Sequence, residues 1–162
     1  MKKSFLAGCG VTVMVGTLAI GTAFATPGVN PPTAEQLASG TLDGPSKAKQ
    51  DKIQLKVSQD TTVRAFTLTY KPGSTSGWHR HPGIVVAIVE SGEVTRRLEN
   101  DCEEVTFKKD DVFTEVEGHF IRNPSPDTDA VLRITQFFPA DIDPKLSRED
   151  IPVDPCRKKR RG

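Results

Sequence analysis

The distribution of apolar positions along the chain predicts an all-β protein. From Lys52 onward, apolar residues recur at every second position, as they do on half-buried strands, and no later segment keeps a helical period. Pairs such as Pro72 and Gly73, or Ser91 and Gly92, mark turns between these segments. The pattern indicates about eight short strands in an antiparallel sandwich or barrel. The apolar residues that mark these strands are Ile53, Leu55 and Val57; Phe66, Leu68 and Tyr70; residues 84–89; Val94 and Leu98; Val105 and Phe107; Val112, Phe113 and Val116; and Leu132, Ile134 and Phe138.

The segments on either side of this core have a different composition. Residues 26–50 are rich in Pro, Gly and Ser and are predicted to form an irregular arm, in which residues 33–39 make a helical turn with Thr33 as its cap. The Asp- and Pro-rich stretch that follows Pro139 is expected to end the fold. The predicted organisation is therefore a signal peptide at 1–25, an arm at 26–50, a barrel at 51–140 and a tail at 141–162.

The first 25 residues have the pattern of an export signal. Two lysines precede an apolar stretch over residues 5–24, and Ala23 and Ala25 form the small-x-small site that a signal peptidase cleaves. Cleavage would start the mature chain near Thr26 and place it in the periplasm or outside the cell. An uncleaved membrane anchor is the alternative, because the apolar stretch is long for a signal. Lipidation at Cys9 is disfavoured, since most of the apolar stretch follows Cys9.

The charge of the chain argues against a nucleic-acid partner. The sequence has 22 basic and 21 acidic residues; loss of Lys2 and Lys3 with the signal leaves 20 basic residues and a net charge of −1. Five of those 20 lie in the basic end at 157–161, so the remaining body has a charge of −6. An acidic body does not favour binding to nucleic acid, and the mature chain is not expected to span a membrane.

The mature chain would keep two cysteines, Cys102 and Cys156. In an oxidising compartment an even pair usually forms a disulfide, although two unpaired thiols are the alternative.

Three histidines form the strongest chemical signal. His79 and His81 are two residues apart, so on a strand both imidazoles lie on one face. His119 starts another predicted strand, and closure of a barrel would bring it opposite the first two. Neutral imidazole is a ligand for Fe, Mn, Ni, Cu or Zn. An isolated pair of this kind is more often a surface feature without a metal.

The residues around these histidines resemble the two motifs of the cupin superfamily. Gly73, His79, His81 and Gly92 have the spacing of the first motif, and His119, Phe-Ile-Arg and Asn123 match the end of the second. The resemblance covers roughly residues 52–139. In this region the chain is similar to the small exported bacterial cupin-domain proteins. The resemblance implies a jelly-roll barrel with His79, His81 and His119 as ligands of one divalent metal ion. Such proteins often have one cysteine before the second motif and another near the C-terminus, which supports the Cys102–Cys156 bridge.

One element of the first motif is missing. Val85 stands where the motif has a glutamate, so the expected site has three neutral imidazoles, a charge of +2 with the ion and no apparent general base. By the same pattern Val85, Ala87 and Val89 line the barrel, and Ile84, Val86 and Ile88 point outward. Because cupins commonly pair through such a surface, we expect a homodimer, with the arm at 26–50 as the alternative cover.

Three further polar residues are candidates for a substrate pocket. Tyr70 shares strand parity with Phe66 and Leu68, Gln136 is in phase with Ile134, and Arg96 is in phase with Val94. The alternatives are core packing for Tyr70, a backbone partner for Gln136 and a solvated strand end for Arg96.

The scaffold that the resemblance implies carries dioxygenases, isomerases, decarboxylases, storage proteins and sensors, so it does not fix the function. The leading hypothesis is a mononuclear non-haem metal enzyme of the dioxygenase type, in which Fe(II) binds a small chelating organic substrate. A sugar isomerase or epimerase is a further possibility, although no acid–base pair for it is apparent. A periplasmic module that binds a metal or a small molecule without turnover is the hypothesis from another class.

Overall fold

The computed structural model describes residues 28–157. The predicted signal peptide, Cys9 and residues 158–162 of the basic end lie outside the described residues. Between residues 28 and 157 no helix is long and apolar enough to cross a membrane. The strands are β1 (Thr33–Leu42), β2 (Ser46–Gln50), β3 (Ile53–Val57), β4 (Thr61–Tyr70), β5 (His79–Arg80), β6 (Ile84–Ser91), β7 (Glu93–Leu98), β8 (Val105–Lys108), β9 (Val112–Glu115), β10 (His119–Arg122), β11 (Ala130–Pro139) and β12 (Glu149–Asp150), and Pro144–Leu146 form a short 3-10 helix.

The all-β prediction is confirmed. The first sheet has the strand order β1-β4-β11-β6-β9 and the second has the order β12-β5-β10-β7-β8, with antiparallel pairing throughout. These two five-stranded antiparallel sheets are consistent with a cupin jelly-roll barrel. The main hydrophobic core lies between them and takes residues from both, such as Ala87 and Leu132 from the first sheet and Val94 and Ile121 from the second.

Strand β6 has the predicted division of its two faces. Val85, Ala87 and Val89 are buried, whereas Ile84 and Ile88 on the alternate positions are 52% and 44% exposed. Side chains alternate along a strand, and the position of Val85 in the first motif indicated which of the two faces is inward.

Two glycines explain part of the motif spacing. Gly73 and Gly92 have φ values of +69° and +71°, a region that non-glycine residues rarely adopt. At Gly92 a Cβ would also lie 2.5 Å from the carbonyl oxygen of Asp129. A side chain at Gly92 would therefore strain the turn between β6 and β7.

The helical turn predicted at residues 33–39 is wrong. These residues belong to β1, which pairs with β4 along its length and is interrupted by a bulge between Gln36 and Ala38. The side chains of β1 are exposed almost throughout, so no apolar alternation marks the strand in the sequence. The backbone hydrogen bonds that β1 makes to the edge of the sheet outweigh the weak preference of these residues for a helical turn.

The strand predicted from Ile53, Leu55 and Val57 exists, but it is not half-buried. β3 pairs only with β2 in a separate two-stranded sheet, and Ile53 and Leu55 are 79% and 44% exposed. Alternation predicted the strand correctly, while no other part of residues 28–157 covers its apolar face.

The segment after Pro139 packs back onto the second sheet, although the sequence pattern indicated that the fold ends there. Strand β12 pairs with β5, and Ile151 packs with Trp78 beside Cys156. Cys102 and Cys156 form a disulfide, as the sequence predicts. The bridge attaches the end of this segment to the loop between β7 and β8.

Candidate metal centre

The fold brings the three predicted histidines together. His79 on β5 and His119 at the start of β10 are directly paired in the second sheet, and His81 follows β5. The ring centroids lie 4.2 Å apart for His79 and His119, 4.9 Å for His79 and His81, and 5.4 Å for His81 and His119. The pairing of β5 with β10 therefore brings His119 to the other two imidazoles, which the spacing of the histidines in the sequence could not establish.

Each imidazole is oriented by a backbone carbonyl. Nδ1 of His79 lies 3.0 Å from the oxygen of Gly77, Nδ1 of His81 lies 2.7 Å from that of Ser147, and Nδ1 of His119 lies 2.7 Å from that of Glu117. A carbonyl only accepts, so each Nδ1 carries a proton, and Nε2 is the ring nitrogen that is available to a metal ion. This is how proteins orient imidazoles that bind a metal ion.

A carboxylate that the sequence analysis missed completes the group. Glu115 at the end of β9 is 5% exposed, and its Oε2 lies 3.4 Å from Nε2 of His81 and 3.3 Å from Nε2 of His119. The expectation that no acidic residue reaches the histidines is therefore wrong. Val85 occupies the position of the motif glutamate, and it is directly paired with Glu115 between β6 and β9. The carboxylate therefore lies on the strand next to the one that carries it in the motif.

Glu115 could have been found from strand parity. It is two residues from Phe113, which is buried, and the inward face of β9 therefore includes it. The sequence reasoning followed the apolar residues Val112, Phe113 and Val116, and Val112 and Val116 are in fact exposed.

The donor set fits one cation. Ligand atoms of His79, His81, Glu115 and His119 all lie within 4.8 Å of one another. Nε2 of His119 is buried, makes no hydrogen bond to any described residue and lies 3.3 Å from Oε2 of Glu115; a metal ion bound by both atoms would give each of them a partner. With Glu115 ionised, a divalent ion would leave a charge of +1 rather than the expected +2.

Burial and mutual contacts set the charges of the group. Burial, together with the neighbouring His119, lowers the pKa of His79 to about 2, so this ring is neutral. Burial alone would raise the pKa of Glu115, but the adjacent His119 and His81 imidazoles outweigh it and hold that pKa below its usual range. Burial alone would lower the pKa of His119, but the Glu115 carboxylate outweighs burial, and this pKa is raised.

A cavity of about 150 Å³ opens beside these residues. Two of the three predicted pocket residues, Tyr70 and Gln136, line it, whereas Arg96 does not. The Arg96 guanidinium stacks instead on Phe107 and Phe113 and donates to the carbonyl of Thr114. The lining residues are Pro32, Arg64, Phe66, Leu68, Tyr70, His79, His81, Val85, Glu115, Ile134, Gln136, Ser147 and Arg148.

The inward amide of Gln136 has partners at both ends. Its Oε1 accepts a hydrogen bond of 2.6 Å from Arg64, and its Nε2 donates to the Ser147 carbonyl at 2.8 Å, the same carbonyl that orients His81. Burial raises the pKa of the Tyr70 phenol, and the nearby Glu115 raises it further, so the hydroxyl stays protonated.

The motif residue Asn123 has a structural role. Its Nδ2 donates to the carbonyls of Tyr70 and Thr128, and its Oδ1 accepts from the Ser125 amide. These bonds attach the end of β10 to β4 and to the following loop.

The match to a known protein family agrees with this architecture. Residues 66–134 match a family described as the cupin domain, and no curated protein matches the chain. A cupin-like protein from Thermotoga maritima is 21% identical over 55% of this chain and 64% of its own, with a TM-score of 0.45. The chain thus spans less than two thirds of that protein.

Two other solved structures cover more of the chain. A Cupin 2 conserved barrel domain protein from Salinispora arenicola is 18% identical over 69% of this chain and 79% of its own, with a TM-score of 0.47. A conserved protein with a double-stranded β-helix domain from Klebsiella pneumoniae is 15% identical over 78% and 90%, with a TM-score of 0.49.

Proposed function

Because this chain belongs to the cupin superfamily through its domain at residues 66–134, we propose that it binds one divalent transition-metal ion with His79, His81, Glu115 and His119. The observation that carries this proposal is the convergence of three oriented imidazoles and one buried carboxylate within 4.8 Å. Three nitrogen donors and one oxygen donor suit Fe(II), our leading assignment, and also Mn, Ni, Cu or Zn.

The reaction that we infer is of the dioxygenase type, on a small organic substrate that chelates the ion. A bound Fe(II) ion would supply the redox chemistry. The residues of the chain would orient the substrate and exclude water, because Phe66, Leu68 and Ile134 make one side of the cavity apolar. The carbonyls of Gly77, Ser147 and Glu117 keep the three imidazoles in the tautomer that the ion requires.

The second candidate function is a binding module without turnover. Among the described residues that line the cavity, Tyr70 is the only titratable side chain besides three of the proposed ligands and the two arginines, and burial keeps its phenol protonated. A cavity without a group that exchanges a proton near neutral pH favours capture of a metal chelate over acid–base chemistry.

Metal analysis of the purified protein tests the centre. We expect about one ion per chain in the wild type and a loss of affinity of at least 100-fold in Glu115→Gln, since a direct ligand should matter more than the outer partners, whose loss costs about 10- to 100-fold. Glu117→Gln is the matched control, because its side chain bonds to Asn100 and its backbone carbonyl, which orients His119, is retained. Wild-type protein that takes up none of the five metals would overturn the proposal.

Oxygen consumption separates the two candidate functions. The Fe(II)-loaded protein would be incubated with diketones, flavonols and thiols while dissolved oxygen is recorded. Uptake that Glu115→Gln abolishes and Glu117→Gln retains supports the dioxygenase. Tight metal binding without oxygen uptake for any of these substrates supports the binding module.

Export to the periplasm or the medium is part of the proposal. The disulfide between Cys102 and Cys156 supports it, since such bonds form and persist in oxidising compartments. N-terminal sequencing of the protein from its native host should begin near Thr26; a chain that retains Met1 in the cytosol would contradict export.

A homodimer is also proposed. Ile84 and Ile88 on β6 and Val112 on the neighbouring β9 form an outer patch on which each residue is 44–56% exposed. The described part of the alternative cover, residues 28–50, does not shield this patch with its strands: β1 is separated from β6 by β4 and β11, and β2 pairs with β3 in a separate sheet.

A further inference from the structure

Arg64 places a cation in the cavity. It lies on β4 in phase with Phe66, Leu68 and Tyr70, and all four residues line the cavity. Arg64 takes part in none of the ion pairs formed among residues 28–157. The sequence analysis missed this residue, although its parity with Phe66 pointed to the barrel interior.

The guanidinium of Arg64 is held in position. It stacks on the rings of Phe66 and Phe138, at 5.0 and 5.5 Å from their centroids. Its Nη2 donates to Oε1 of Gln136 at 2.6 Å and to Oγ of Ser147 at 3.0 Å. Its Nε is buried and has no hydrogen-bond partner among the described residues. The group is therefore fixed by its neighbours and keeps unused donor capacity.

The other cation of the cavity is neutralised. Arg148 pairs with Asp150 at 2.6 Å and donates to the carbonyl of Ser76. Glu115 is the only carboxylate among the described lining residues, and it faces the histidines. With a divalent ion present, the Arg64 side of the cavity has no negative charge to balance it, and an unbalanced half-buried cation favours an anionic ligand.

We propose that Arg64 anchors the carboxylate of a small organic acid whose other polar end lies at the metal centre. This inference rests on the proposed function, since it takes the ion as the second anchor. The planar guanidinium matches the geometry of a carboxylate. A cavity of about 150 Å³ is of the size that accepts a benzene molecule, so the acid has roughly six non-hydrogen atoms.

Binding of matched pairs of small molecules tests the proposal. The protein is loaded with Zn(II), which has no redox chemistry, and titrated in a calorimeter with lactate and lactamide, then with glycolate and glycolamide. Each pair differs in the charge of one end only. We expect each acid to bind the wild type roughly 10- to 100-fold more tightly than its amide. Arg64→Gln should reduce this preference to less than about threefold, and Arg64→Lys, which keeps the charge, should retain part of it.

The amide is an internal reference, because damage to the metal site would weaken both members of a pair. Arg96→Gln is the matched control, since Arg96 also stacks on two phenylalanine rings but lies outside the cavity. The preference should persist in this variant. Equal binding of acid and amide by the zinc-loaded wild type, or a preference that survives Arg64→Gln, would overturn the inference and leave the metal centre intact. A wild type that takes up no metal would overturn both.

Discussion

At the scale of single residues, Val85 and Glu115 show how one site can be completed from two strands. They face each other between β6 and β9, and directly opposed residues of an antiparallel pair have Cβ atoms about 4.5–5.5 Å apart. A carboxylate can therefore move from one strand to the other and still reach the same imidazoles.

This relation predicts a rescue. Glu115→Val should lose metal binding, and the double variant Val85→Glu with Glu115→Val should regain at least about a tenth of the wild-type affinity, because the carboxylate returns to the opposing position. Titration with Zn(II) and a competing chelator measures both. A double variant no better than Glu115→Val would show that the ligand position on β9 is required.

The buried histidines predict a pH dependence of the metal-free protein. The folded pKa of His79 is about 2, and its ordinary value is 6.5. Between these values the unfolded chain binds a proton that the folded chain does not, so the free energy of unfolding falls as the pH decreases, by up to about 1.4 kcal/mol per pH unit. The raised pKa of His119 changes the free energy of unfolding only above pH 6.5, and the lowered pKa of Glu115 changes it only below pH 4.5.

Urea unfolding of the metal-free protein at pH 6.5 and 4.5 measures this effect. The midpoint should drop in the wild type, and His79→Gln should show a smaller drop because it lacks the group. An equal drop in both proteins would assign the acid sensitivity to other residues.

At the scale of elements, the segment after β11 links the disulfide to the metal centre. Its Ser147 carbonyl orients His81, and its Ile151 amide donates to the Trp78 carbonyl, one residue before His79. The disulfide holds the far end of this segment at Cys156. Ordering of the segment is therefore expected to order the imidazoles.

Removal of the disulfide should weaken metal binding. The variant Cys102→Ser with Cys156→Ser is expected to lose roughly 4 kcal/mol of stability, from the chain entropy of a long closed loop, and about tenfold in Zn(II) affinity, the scale of a lost outer partner. Chemical denaturation and chelator competition measure the two effects. Unchanged affinity in a less stable protein would show that the segment stays in place without its bridge.

At the scale of the whole molecule, the outer patch of Ile84, Ile88 and Val112 is next to an open edge, because β9 is the last strand of the first sheet. Exposed apolar residues beside unpaired backbone groups favour association of two copies. Sedimentation should therefore find a dimer. Ile88→Lys should convert it to a monomer that still binds metal, whereas Ile53→Lys, at a more exposed position on the β2–β3 hairpin, should not. A wild-type monomer at high micromolar concentration would contradict the dimer.

Regular alternation in the sequence was enough to predict the strands of the core, because side-chain parity is a local property. The resemblance to the first motif then indicated which face of β6 is inward. It also identified the three histidines and the two cysteines, since few residue types form such sites. It did not predict β1, whose side chains are exposed and whose backbone pairs with β4 only in the folded chain.

The composition of the site depends on the tertiary structure. Glu115 and Val85 are thirty positions apart, and their opposition depends on the pairing of β6 with β9. Arg64 and Gln136 meet because β4 and β11 are paired in that register. Such contacts depend on strand order and register, which arise from the packing of the whole core rather than from the residues near each position.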